Sequence, residues 1–253
     1  MTRFIEVNSV GKTYPGKLEP VEALRGIDFT CNEGDFVCLL GRSGCGKSTL
    51  LQLMAGLETP SAGHIAVAGR ELDGPSPSAS IVFQDHGLFP WMTVQKNVEF
   101  NMKARGLSAA ERAATARRLL EMTGLTGFEG RYPHELSGGM RQRVGIARAL
   151  TTGPKALLMD EPFGALDAQT RGKLQDELLQ IWETQKTTVL FVTHSIDEAL
   201  LLADRILVFT PRPGRIAADI EVDLPRPRAP ESEPFATLAR ELRALIGADR
   251  DFD

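Results

Sequence analysis

The octapeptide Gly41-Arg-Ser-Gly-Cys-Gly-Lys-Ser48 constrains this chain more than any other stretch, because it matches G-x-x-x-x-G-K-[ST] in the context that gives the pattern meaning. Asp35-Phe-Val-Cys-Leu-Leu40 ahead of it is a short apolar run that predicts a strand. Ser48-Thr-Leu-Leu-Gln-Leu-Met-Ala55 behind it predicts a helix. Glycines at 41, 44 and 46 permit turns that aim successive backbone N–H groups at one point before a helix N-terminus, where the helix dipole also favours an anion. The expected ligand is a nucleotide phosphate, with Lys47 reaching the terminal phosphates and the Ser48 hydroxyl coordinating Mg²⁺. A strand, loop and helix in this order also predict an α/β fold.

The rest of the chain agrees with that class. The first 35 residues mix short β-branched and aromatic stretches (Phe4 to Val7, Ile27 to Phe29) with turn signals at Gly11, Pro15, Gly16 and Asn32 to Gly34, which predicts a small antiparallel sheet. Gly63 to Gly69 and Ala79 to Phe83 are further candidate strands. Helical periodicity runs from Thr93 to Leu150, with Ser108 placed as an N-cap. Strand-type runs at Ala156 to Met159, Thr188 to Thr193 and Arg205 to Phe209 then alternate with helical stretches Ala168 to Gln185 and Ile196 to Ala203, the pattern of a parallel sheet flanked by helices. Asp223 to Pro230 breaks regular structure, and Glu233 to Ile246 predicts a last amphipathic helix.

Two further constellations bear on chemistry. Ala156-Leu-Leu-Met-Asp-Glu-Pro162 delivers adjacent carboxylates at the C-terminal end of a strand, the edge where open α/β sheets bind ligands. Asp160 is positioned for the Mg²⁺ shell, and Glu161 to accept a proton from, or orient, a water in line with the γ-phosphate. Leu136-Ser-Gly-Gly-Met-Arg-Gln-Arg143 opens a helix with Ser137 as N-cap, and Gly138 and Gly139 there offer a second anion-binding backbone. One nucleotide does not need two such sites. The surplus makes sense if two copies pair head to tail, each closing the other's nucleotide.

Composition narrows the class by exclusion. Of 253 residues 42% are apolar and 25% charged, which excludes a mainly disordered or fibrous chain. Basic and acidic residues number 29 and 33, with four His and a net charge of −4, so no chain-wide excess draws it to nucleic acid. No apolar run exceeds five residues, against about 20 for a membrane-spanning helix. The start, MTRFIEVNSVGKTY, offers no apolar signal core, so a cytosolic compartment is expected. Cys31, Cys38 and Cys45, seven residues apart, suit neither a disulfide framework nor a zinc site, and reduced thiols are expected.

Together, and in this order, GRSGCGKS, LSGGMRQR and LLMDEP resemble the ATP-binding cassette (ABC) family through about residue 235. The resemblance implies a P-loop NTPase of ABC type: a mixed, mainly parallel sheet core, an N-terminal antiparallel β-subdomain and a helical subdomain. It divides the chain into a cassette at 4–235, whose nucleotide-binding core is 1–90 with 155–222 and whose helical part is 91–154, and a C-terminal tail at 236–253. It implies ATP and Mg²⁺ as ligands, held by Gly41, Arg42, Ser43, Gly44, Cys45, Gly46, Lys47, Ser48 and Thr49 of one copy and by Ser137, Gly138 and Gly139 of another. Tyr14 matches the aromatic that stacks on adenine, and Gln84 the glutamine that touches Mg²⁺ and the attacking water and senses the membrane partner. Leu166 and Asp167 match the loop that crosses the dimer interface, and His194 the histidine that contacts the γ-phosphate.

Phe89-Pro-Trp-Met-Thr-Val94 and Thr210-Pro-Arg-Pro-Gly-Arg-Ile216 are similar to segments of nitrate, sulfonate and taurine importers. Leu88, Phe89, Trp91 and Met92 form an apolar patch able to bury a short helix of a partner. By resemblance the partner is a transmembrane permease contacting Gln84 to Val94, served by a periplasmic or extracellular solute-binding protein, with the ATPase at the cytoplasmic face of the membrane. A soluble cassette acting on nucleic acid or the ribosome is the alternative. Such relatives carry paired cassettes, coiled-coil insertions or zinc cysteines, and this chain shows none of them. Arg212 and Arg215 are assigned no chemical role. Arg42 departs from the small residue frequent at its position, and Cys45, at a helix start that lowers a thiol's pKa, is expected to block ATP binding when alkylated.

Overall fold

A computed structural model describes residues 3–247 apart from Leu18, His86 and Ala165. In chain order the elements begin with β1 (Arg3–Tyr14), β2 (Val21–Asn32), β3 (Phe36–Leu40), α1 (Lys47–Met54), β4 (Ala62–Val67), β5 (Arg70–Glu71) and β6 (Ala79–Val82). They continue with α2 (Val94–Ala104), α3 (Ala109–Met122), α4 (Gly138–Leu150), β7 (Ala156–Asp160), α5 (Ala168–Gln185), β8 (Thr188–Thr193), α6 (Ile196–Leu202), β9 (Arg205–Phe209), β10 (Ile216–Glu221) and α7 (Glu233–Gly247). The chain forms two compact units, Met1–Ser76 with Thr188–Asp253, and Pro77–Thr187.

In the first unit β2, β1, β4 and β5 form an antiparallel sheet. In β1 Phe4, Ile5, Val7 and Val10 are buried, with Ile5 opposite Cys31, Val7 opposite Phe29 and Val10 opposite Ile27 of β2, and register shifts between Arg3 and Ile5 and between Val7 and Val10 interrupt strict alternation. The turn expected at Gly11 does not exist. Gly11 lies inside β1 opposite Ala62, because register shifts next to it absorb the irregularity without ending the strand. The second sheet of this unit runs β10-β9-β3-β8, parallel through β9, β3 and β8 and antiparallel at β10. Every residue of β3 and β8 is buried, which is why they read as continuous apolar runs rather than alternating ones.

After β10 the irregular stretch is held by Arg228, whose guanidinium donates to the carbonyls of Leu224, Leu200, Ala203 and Val222 at 2.6–3.2 Å. Burial lowers its pKa to about 10. Beyond it α7 packs on α6 and β9, burying Phe235, Ala239 and Leu242.

In the second unit β6 and β7 pair in parallel with Val82 opposite Met159, and α2 packs on α3 and α4. Side chains cap four helices, at Ser108 and Ser137 as their sequence positions predict and at Thr93 and Asp167 besides. Thr93, Ser108, Ser137 and Asp167 accept from backbone N–H groups three residues on, and Ser108 with Glu111 completes a capping box. Among the described residues no helix is long and apolar enough to cross a membrane.

Candidate functional site: a phosphate loop, a glycine-rich helix start and a carboxylate pair

Residues 41–46 link β3 to α1. Gly46, at φ 102°, is the N-cap of α1, and a Cβ there would stand 2.7 Å from Leu24 Cδ2 and 2.8 Å from the Ala23 carbonyl. The glycine is therefore required both by backbone angle and by the closeness of β2. Lys47 is 3% exposed, and its Nζ donates to the carbonyls of Gly41 and Arg42 at 2.8 and 2.9 Å. The ammonium is thus held by the loop it serves. Ser48 and Thr49 lie in the first turn of α1, partly accessible, while Arg42, Ser43 and Gly44 are exposed.

Cys45, expected to block ATP binding when alkylated, is 2% exposed with its Sγ 3.7 Å from Lys47 Nζ, so the folded chain gives an alkylating reagent little access to it. Cys31 and Cys38 are likewise free and buried, and burial pushes both thiols up.

His194 follows β8 at the same edge as the loop. Leu40, just before Gly41, pairs with Thr193, just before His194. Neighbouring groups fix this corner: Thr193 Oγ1 donates to the buried Glu198 carboxylate at 2.5 Å, Ser195 N–H donates to Thr193 Oγ1 at 3.0 Å, and Ser195 caps α6. His194 itself is exposed. Tyr14 ends β1 opposite Val21, with Lys12 Nζ 4.8 Å from its ring centre and that lysine tied to Glu58 at 2.7 Å.

The second unit holds the other residues. Gln84 comes two positions after Val82, and Glu161 two after its ladder partner Met159, so both leave the same end of the β6–β7 pair, where Asp160 closes β7. The Gln84 amide Nε2 and Glu161 Oε2 lie 3.7 and 3.8 Å from the point a Cβ on Gly164 would occupy, and so face one small space. Glu161 has φ 42°, a left-handed backbone a glutamate adopts at a cost of about 1–3 kcal/mol and one that clusters at functional sites. Ser137 caps α4, its hydroxyl accepting from Met140 N–H at 3.3 Å, with Gly138 and Gly139 forming the first turn. Asp167 caps α5, and the hydrogen bond from Thr170 N–H at 3.0 Å holds its carboxyl below the usual range.

Asn97 and Arg148 were not picked out from the sequence, and Arg212 was noted there without a role. Asn97, fully buried, accepts from Phe89 N–H at 2.8 Å and donates to the carbonyls of Phe89, Met92 and Thr93 at 3.0–3.1 Å, which fixes the loop before α2. An Asn four residues after an N-cap Thr is the weak signal that was there. On that loop Trp91 is 69% exposed, and Phe89 stacks tilted on Trp91 and Phe100 at centroid distances of 5.6 and 4.5 Å. A cavity of about 550 Å³ opens beside it, lined by Met92, Phe100, Ala104, Arg112 and neighbours. Arg148 donates to the Gly87 carbonyl at 2.7 Å, and Arg212 reaches the Gly44 carbonyl at 3.3 Å; neither contact has a local sequence signature.

A phosphate loop between a buried parallel strand and a helix, with a carboxylate pair ending another parallel strand, defines a P-loop nucleoside triphosphatase. The chain belongs to the ABC transporter family, whose model matches residues 24–164. A nitrate import ATP-binding protein of a Synechocystis species is 48% identical over 221 residues, 87% of this chain and 83% of that one. An aliphatic sulfonates import ATP-binding protein of Bacillus cereus is 44% identical over 238 residues, 94% of each chain. A dimeric ATP-binding cassette in a post-hydrolysis state with ADP and phosphate matches with TM-score 0.78 and 31% identity, over 87% of this chain and 99% of that one. The expected fold class and ABC-type ATPase activity stand on these findings.

Proposed function

We propose that this chain is the ATP-hydrolysing subunit of an import complex for a small anion such as a sulfonate, taurine or nitrate, working at the cytoplasmic face of the membrane. Two copies pair head to tail in ATP, with the loop 41–49 and Tyr14 of one facing Ser137 to Gly139 and Asp167 of the other. The cassette spans 4–235, with its core at 1–90 and 155–222, its helical part at 91–154 and a tail at 236–253.

Each role follows from the chemistry of the side chain. Lys47 exchanges the carbonyls of Gly41 and Arg42 for phosphate oxygens. Ser48, Gln84 and Asp160 supply a hydroxyl, an amide oxygen and a carboxylate, the hard oxygen donors that Mg²⁺ prefers. Bound Mg²⁺ supplies neutralisation of phosphate charge. Glu161 holds the proton of the attacking water, Gln84 orients that water, and His194 donates toward the γ-phosphate.

The observation that carries the transport reading is the exposed aromatic ledge at Trp91, stapled by the buried amide of Asn97 beside an apolar cavity. A rigid apolar ledge of this kind fits a short helix of a permease, reached through Gln84 to Val94 and supplied by a solute-binding protein. The names of the relatives favour a small anion as cargo.

The test is phosphate release by the chain and by Glu161→Gln, with size-exclusion chromatography in ATP and Mg²⁺ and uptake of labelled nitrate and sulfonate with the permease co-expressed. The expected result is an inert variant that elutes as an ATP-dependent dimer, and uptake that depends on the wild-type chain. Wild-type turnover by Glu161→Gln removes the catalytic assignment. Co-sedimentation with ribosomes or nucleic acid instead of membranes replaces the transport reading with the soluble alternative.

A further inference from the structure

The hairpin between β9 and β10 lies against the phosphate loop, and its contacts are specific. Gly214 N–H donates to the Ala23 carbonyl at 2.9 Å and Arg25 N–H donates to the Gly214 carbonyl at 3.0 Å, so β2 pins the hairpin from both sides of one residue. A Cβ on Gly214 would stand 2.1 Å from the Cys45 carbonyl oxygen, so hairpin backbone and loop backbone touch directly. The Thr210 hydroxyl accepts from Arg215 N–H at 3.0 Å and closes the turn. From this pinned turn the Arg212 guanidinium brings Nε and Nη2 each to 3.3 Å from the Gly44 carbonyl.

We propose that Arg212 is a positioning residue of the phosphate loop, holding the Gly44 carbonyl outward so that the N–H of Cys45 faces the phosphate. The Gly44–Cys45 peptide unit is planar and trans, so its C=O and N–H point in opposite directions, and whatever fixes one fixes the other. Gly44, at φ 79°, has no side chain to limit rotation of that unit. An outside donor is therefore the means of setting its orientation before ligand arrives, and a guanidinium also polarises the carbonyl it binds. Arg212 touches no substrate in this scheme. It acts through the backbone of the loop, and the proposal rests on the reading of 41–48 as the phosphate site.

Arg212 is exposed, as are the neighbouring Arg42, Ser43 and Pro211 beside a depression of about 400 Å³, so its removal leaves the core intact. The experiment is titration calorimetry of ATP, ADP and phosphate-free adenosine into wild type, Arg212→Ala, Arg212→Lys and Lys47→Ala, with the melting temperature of each protein without nucleotide. The expected result for Arg212→Ala is about fivefold weaker ATP and ADP binding, the size of one modest hydrogen bond. Adenosine binding and the nucleotide-free melting temperature stay unchanged, and Arg212→Lys recovers part of the affinity. Wild-type ATP affinity in Arg212→Ala overturns the proposal. So does an equal loss for adenosine, which would mark general damage to the fold. Retention of ATP by Lys47→Ala overturns the phosphate-loop reading itself and the proposal with it, whereas loss there beside wild-type affinity in Arg212→Ala overturns the proposal alone.

Discussion

The phosphate loop and the Phe89 to Thr93 segment are both short connections into a helix N-terminus, and each has its carbonyls gathered by one buried polar side chain from the helix that follows. Lys47 of α1 takes the carbonyls of Gly41 and Arg42; Asn97 of α2 takes those of Phe89, Met92 and Thr93. What differs is the charge of the staple and the face turned outward. A neutral amide satisfied by four bonds has nothing to gain from leaving, so Asn97 makes a permanent ledge. A buried ammonium on two carbonyls has no anionic partner among the described residues, and in the proposed function it gains one when phosphate binds, which makes Lys47 a staple that ligand takes over. On that proposal one loop changes partners, while the other stays rigid and presents aromatic rings.

The largest effect that could break this contrast is at the loop's tightest point. Gly46→Ala is expected to cost about 3 kcal/mol in urea unfolding, from strain at positive φ and collision with Leu24, and to abolish ATP binding by calorimetry. Next comes Asn97→Ala, which strands buried backbone groups and is expected to cost about 2 kcal/mol while ATP affinity stays within about twofold. Lys47→Met should do the reverse. It loses ATP-induced stabilisation, yet changes the nucleotide-free protein by less than about 1 kcal/mol, because removing a buried charge offsets the lost bonds. If both staple variants fail in the same way, the distinction between a permanent and a replaceable staple is wrong.

Smaller still, Trp91→Ala should shift unfolding by under about 0.5 kcal/mol, as an exposed side chain does, yet reduce co-sedimentation with permease-containing membranes several-fold. The smallest effect is electrostatic. The folded carboxyl of Asp167 titrates below its ordinary 3.8 because Thr170 N–H donates to its ionised form. A depressed acid contributes stability above its unfolded pKa and loses it as pH falls through the folded one. The melting-temperature gap between wild type and Asp167→Asn, in which asparagine keeps the cap but not the charge, should therefore be present at pH 7 and close as pH falls below about 4.

Nearly every long element was legible, and the reasons are local. β3 and β8 read as apolar runs because both their faces are covered, and α3 announced itself through Ser108 at its N-cap, the partner Glu111 of the capping box emerging only with the structure. The short β5 and the edge strand β10 were not read. β10 alternates half-buried Ile216, Ala218 and Ile220 with exposed Ala217, Asp219 and Glu221, but a six-residue stripe with two alanines is a weak signal, and its place in the sheet comes from pairing with β9. Gly11 misled for a related reason, since a glycine inside a bulged strand and a glycine in a turn look alike until the partner strand is known. At the site, glycine spacing, the lysine and the carboxylate pair were visible, while the strain at Glu161, the burial of Cys45 and the reach of Arg212 were not.

By itself the sequence determined the order of most of the longer elements, the phosphate loop, the caps at Ser108 and Ser137 and the ABC-type class, because each depends on residues within a few positions of one another and on the fixed periods of helix and strand. Tertiary structure decided which carbonyl a distant side chain holds. Arg212 lies 168 residues from Gly44, and no spacing rule links them. It decided that Cys45 is sealed and Trp91 open, since exposure depends on what packs against a residue from elsewhere in the chain. It also decided that Gln84 and Glu161 share one space, because parallel register between β6 and β7, set by packing and not by local sequence, carries both to the same strand end.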